Sequence, residues 1–150
     1  MSLFALASAQ LQVMSESKMS LDPLLSAPGV VQLHAFAAMA AIAWGGIQLL
    51  LPKGNFRHRM MGYGWAALML LIASSSLFIH TIRSWGPFSA IHFLSIFVLA
   101  IMPLAAWRAR RGLMKGHRRT MISIFVFALI VAGFFTFAPG RIMHAVLFGS

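Results

Sequence analysis

The chain has 150 residues, of which 60% are hydrophobic and 9% charged, with a formal net charge of +10. Soluble domains carry about a quarter charged residues, so this balance excludes an ordinary water-soluble fold. The absence of cysteine excludes thiolate-held metals, iron–sulfur clusters and disulfides.

Residues 1–28 read as an N-terminal tail holding both of the chain's acids, Glu16 and Asp22. The tail's apolar stretch, Leu3 to Ala9, is short and follows no basic segment. It is therefore expected to be a retained, outward-facing tail rather than a signal peptide. Residues 29–150 are expected to form the membrane-embedded part. Four apolar runs cover about residues 30–51, 61–82, 88–107 and 121–138. Each approaches the roughly 20 residues with which an α-helix crosses a hydrocarbon core about 30 Å thick. The runs are continuously apolar rather than alternating, and an open sheet edge cannot face lipid, so strands are excluded. The expected fold class is all-α: an integral membrane four-helix bundle.

The basic residues fall between the runs. Lys53, Arg57 and Arg59 follow the first, and Arg108, Arg110, Arg111, Lys115, Arg118 and Arg119 follow the third. Two spans separate these loops, so they share a side of the membrane, and the positive-inside rule makes that side cytoplasmic. Both termini and the middle loop then face outward, in a bacterial inner membrane. Placement beside membrane spans argues against nucleic acid as a partner and for the bilayer's anionic headgroups. Other subunits of a membrane complex are further candidate partners.

The second half of the chain repeats the first. His34 and His92 lie 58 residues apart, as do Arg83 and Arg141, while His58-Arg59 and His117-Arg118 lie 59 apart. The bundle is accordingly expected to consist of two repeated helical hairpins. Each hairpin has an even number of spans, so an axis along the membrane normal relates them and equivalent residues share a depth. Small and polar faces support inward orientation: His34, Ala38, Ala41, Gly45 and Gln48 in the first run, and Gly62, Ala66, Met69, Ala73, Ser76 and His80 in the second. The fourth carries Gly133, Thr136, Gly140 and His144. The tryptophans Trp44, Trp65, Trp85 and Trp107 are expected to anchor at the interfaces.

No carboxylate lies in any run or in either basic loop, which removes carboxylate relays, Glu-based di-iron sites and acid-pair catalysis. Ser74, Ser75 and Ser76 have no neighbouring acid and are expected to bond their own helix carbonyls. No catalytic constellation remains. Neutral imidazole is a good ligand for iron, copper or zinc, and two facing imidazoles can hold a haem. The outer candidates are His34 and His92, for haem or metal; the inner candidates are His58 and His117, for haem.

In this respect the chain resembles the two-haem transmembrane b-type cytochromes, a likeness of architecture resting on His34, His92, His58 and His117. That resemblance implies haem b as cofactor and electron transfer across the membrane. The chain also resembles a family of uncharacterised bacterial predicted membrane proteins with four spans. This likeness runs from about His34 to Arg141. It rests on the first-span His34, Gly54 with His58-Arg59 and Gly62, the stretch from Gly86 to His92, the stretch from His117 to Met121, and the stretch from Ala132 to Arg141. It implies the span count but no activity. Two other functions compatible with the residues are a cofactor-free packing or assembly subunit and a small-molecule carrier.

Overall fold

A computed structural model describes residues 19–79 and 89–149. Among these residues every regular element is helical, in agreement with the expected all-α class. The expected features at His80, Arg83, Trp85 and 86–88 lie outside the described residues. The chain divides into two compact units, Met1–Ala27 with Phe134–Ser150, and Pro28–Gly133.

The smaller unit begins with a short helix, α1 (Asp22–Leu25). The larger unit holds α2 (Gly29–Leu50), α3 (Phe56–Ser76), α4 (Ala90–Arg110) and α5 (Met114–Ser123). The last of these runs on without a break into a π-helical stretch, Ile124–Val131. One α-helical turn, α6 (Ala132–Phe134), and a 3₁₀ turn, Phe135–Phe137, follow. The smaller unit closes with α7 (Ile142–Phe148). In that unit α1 packs on α7, and the Ser20 amide donates to the Val146 carbonyl at 3.1 Å.

Among the described residues three helices are long and apolar enough to cross a membrane: Gly29–Leu50, Ala90–Arg110 and Met114–Phe137. The surface of the larger unit matches that reading. Leu33, Phe36, Met39 and Ile42 of α2, Phe93, Ile96 and Phe97 of α4, and Phe127 and Ile130 of the π segment are all exposed. Contiguous exposed apolar surface on this scale requires an apolar environment.

The inner face is smaller and tighter. Helix α2 packs on α3, α3 on α4 and α4 on α5, while the π segment touches both α2 and α4. Their shared core contains Ala41, Trp65, Met69, Val98, Met102, Ile124 and Leu129. The expected inward faces of the first two runs are in place, with Ala41, Gly45, Met69, Ala73 and Ser76 buried, whereas that of the fourth is not: Gly140 is exposed in the turn before the last helix and Gly133, Thr136 and His144 are only partly buried. Trp65 is a correction. Instead of anchoring at an interface it is 4% exposed, and its Nε1–H donates to the Ala41 carbonyl at 2.9 Å. The reason lies across the helix pair, where Gly45 has no side chain to occupy the space taken by the indole.

Helix boundaries differ from the apolar runs for a definite reason. Helix α3 begins at Phe56 because the Asn55 side chain accepts the His58 amide at 2.7 Å, satisfying a donor that the first helical turn leaves open. Helix α5 likewise begins at Met114, so most of the expected basic loop 108–119 is helical and only Arg111, Gly112 and Leu113 join α4 to α5. Both connections use a glycine with left-handed backbone, Gly54 at φ 85° and Gly112 at φ 73°. Each glycine stands two residues before its helix.

Candidate functional site

Two polar groupings lie at opposite ends of the larger unit. The first joins the start of α2 to the end of α3, and the start of α4 holds the other outer histidine, His92. His34 Nδ1 is 3.1 Å from the Ile72 carbonyl and 3.1 Å from Ser75 Oγ. A carbonyl can only accept, so the contact with Ile72 assigns the proton to Nδ1 and leaves Nε2 with a lone pair. Ser75 Oγ–H also donates to Ile72 O at 3.0 Å, as expected for a hydroxyl bonding its own helix.

His92 has a different task. It is 2% exposed, and its Nδ1 accepts the Ser89 backbone N–H at 3.2 Å, with Ser89 Oγ 3.1 Å away. Together they make a capping box in which histidine takes the place usually held by Glu or Gln. Because Nδ1 accepts there, neutral His92 carries its proton on Nε2. Ligation of iron or metal at Nε2 would require moving that proton and giving up the cap. The two outer histidines thus hold opposite tautomers, which is a poor fit to a haem bound by both.

The second grouping joins the end of α2, the start of α3, the end of α4 and the start of α5. His117 Nδ1 is 2.9 Å from the Ala105 carbonyl, so Nδ1–H donates and Nε2 keeps its lone pair. Donation to a carbonyl is how metal-binding imidazoles are commonly oriented. His58 is near enough to His117 to feel its charge. Burial, then His117, then Lys53 hold the His58 pKa below its usual value, which favours the neutral imidazole. Gln48 Nε2 donates to the His58 carbonyl at 3.3 Å. Nearby, Arg108 Nη1 donates to Thr120 Oγ1 at 2.7 Å.

Two atoms in this grouping stand out. His58 Nδ1 and Gln48 Oε1 are both buried and neither has a hydrogen-bond partner. An unmet buried polar atom costs about 1–3 kcal/mol, so two of them beside a second imidazole mark a place suited to a ligand. Gln48 was on the inward face read from the sequence but was not marked as a site residue. Its signal was that it is the one amide side chain in the second half of the first apolar run.

In the smaller unit, the His144 ring packs against Phe148 with centroids 4.8 Å apart. Among the described residues no three His, Asp or Glu side chains gather as a metal site.

A family model described as "Predicted membrane protein (DUF2306)" matches residues 31–147. No curated protein and no solved structure matches the chain.

Proposed function

Since the chain belongs to this DUF2306 family of predicted membrane proteins, we propose that it is a four-span protein of the bacterial inner membrane that holds haem b between His58 and His117 and serves as an electron-transfer protein or redox subunit. The observation that carries the reading is the buried, unpartnered His58 Nδ1 next to His117. Placement of the basic ends in the cytoplasm follows from the positive-inside rule. Descent from a repeated hairpin is supported by the matching left-handed glycines, Gly54 and Gly112, ahead of the two histidines.

Charge favours haem over a bare dication. The chain's two acids lie in its first 28 residues, so no carboxylate of the larger unit could neutralise a metal ion among Lys53, Arg57 and Arg108. Haem brings two propionates of its own, and cations stabilise them. His58 and His117 would hold the haem, which would supply a one-electron ferric–ferrous couple. The protein's part is to present ligands: the Ala105 carbonyl fixes the His117 tautomer, and burial beside positive charge keeps His58 neutral.

The test is a reduced-minus-oxidised spectrum of the intact protein, purified after expression with abundant haem. A Soret band is expected that disappears in both His58→Ala and His117→Ala and survives in His34→Ala. A second reading, the cofactor-free packing subunit, is favoured by the filled core around Met69, Val98, Met102 and Leu129. Colourless protein that folds and stays helical would select it and discard the haem.

A further inference from the structure

Beside the second histidine grouping, with which it shares the Arg108–Thr120 contact, an open groove of about 220 Å³ runs between α4 and the helix that starts with α5, lined by Phe97, Ile101, Arg119, Thr120, Ser123 and Ile124. We infer that it is a binding site for one anionic phospholipid, with the phosphate held by Arg119 and the first part of an acyl chain laid along Phe97, Ile101 and Ile124. This assignment does not depend on the haem.

Three observations carry it. First, the groove has a polar end and an apolar end in the order that a lipid requires. Helix α4 runs toward the basic connection at Gly112, so Ile101 is nearer that connection than Phe97. Helix α5 runs away from it, so Arg119 and Thr120 are nearer it than Ser123 and Ile124. A headgroup at the basic end therefore directs its chain toward the membrane interior.

Second, the larger unit contains no Asp or Glu, so it offers Arg119 no carboxylate as a counter-charge and leaves its guanidinium suited to a bound anion. A second cation is at hand: Arg108 is tied to the groove wall through Thr120 Oγ1, which in turn donates to the Gly116 carbonyl at 3.0 Å. Thr120 is thereby committed, and Ser123 offers the free hydroxyl. Arginine's fork matches phosphate oxygens in a way that a dispersed positive surface does not.

Third, size suits a headgroup with its first methylenes. At roughly 30 Å³ per water-sized group, the groove takes about seven of them. Zwitterionic lipid fits the same volume, but its ammonium group would meet Arg119 and Arg108.

The experiment uses the full chain in a neutral detergent, with native mass spectrometry reading the lipid retained. Phosphatidylglycerol is offered against phosphatidylcholine of the same chains, with inorganic phosphate as a third arm. The wild type is expected to keep one phosphatidylglycerol and to release phosphatidylcholine. Arg119→Gln should weaken retention about tenfold, the usual effect of losing one charge-assisted contact. Arg118→Gln, an exposed neighbour outside the groove, should change it less than about twofold. Phe97→Trp, which fills the apolar end, supplies an independent variant and should also weaken it. Equal losses in Arg118→Gln and Arg119→Gln would reduce the effect to general surface charge and overturn the site. Equal retention of both lipids, or displacement of the lipid by inorganic phosphate, would overturn it as well. Because the Soret band of the intact protein is read separately, failure here leaves the haem reading standing, and failure there leaves the groove.

Discussion

His58 concentrates the electrostatics of the candidate site in one ring. Its pKa is depressed by burial and by the charges of His117 and Lys53, whereas the same imidazole in an unfolded chain would titrate near 6.5. Below that value the unfolded chain binds the proton more readily than the folded one. Stability should therefore fall as the pH drops from about 6.5 through the folded pKa, and His58 should add no pH dependence above about 7. Thermal melts of wild type and His58→Gln from about pH 5 to about pH 7.5 isolate this ring from the other histidines. The wild type should lose more stability on acidification than the variant. Parallel curves would mean that His58 meets water freely and that its nitrogen is not buried. The ring's charge state also bears on function, since only the neutral form has a lone pair to give a metal.

Between helices, the decisive contact is Gly45 of α2 against Trp65 of α3 and Phe125 of the π segment. A methyl added at Gly45 would stand 2.6 Å from Trp65 Nε1 and 2.7 Å from the Phe125 ring, whereas at Gly46 it would meet nothing within 4 Å. Gly45→Ala should cost about 1–3 kcal/mol by overpacking. Gly46→Ala should be neutral or gain up to about 1 kcal/mol, because alanine restricts the unfolded chain and favours helix. Detergent melts of the two variants check the pair, and equal effects would contradict the packing. This contact also shows what the sequence made legible. The inward stripe through Ala41 and Gly45 could be read from spacing along one helix, but the burial of Trp65 could not, because it depends on a gap in another helix. Boundaries were hidden for a different reason: apolarity marks where lipid begins, while Asn55 and Gly112 decide where helices begin. The candidate site was legible as a set of histidines. Their different uses were not, since the His92 tautomer is set by a backbone amide of Ser89 and the His117 tautomer by the carbonyl of Ala105.

At the scale of the molecule, the question is whether α3 crosses the membrane along with the three more apolar helices. Its 21 residues span about 30 Å, enough for the hydrocarbon core. Its composition is diluted by Arg57, Arg59, Gly62, Gly64 and three terminal serines, yet Trp65, Met69, Ile72, Ala73, Ser75 and Ser76 are buried within the protein. A helix that faces its neighbours more than lipid needs less apolar surface to cross. The absence of cysteine permits a clean test by parity. Single cysteines replace Lys53, Lys115 and Gly29, all exposed, and Gly29 has open space for the new side chain. If α3 crosses, two crossings separate residues 53 and 115. Both cysteines should then react with an impermeant maleimide only when the cytoplasmic face is presented, while the one at position 29 reacts only from the other face. If α3 lies along the surface, a single crossing remains between them and the two basic ends label from opposite sides. That outcome would remove the shared cytoplasmic end on which the pairing of His58 with His117 depends. Labelling of residues 53 and 115 together from the outer face would keep four spans but reverse the orientation, setting the positive-inside rule aside for this chain.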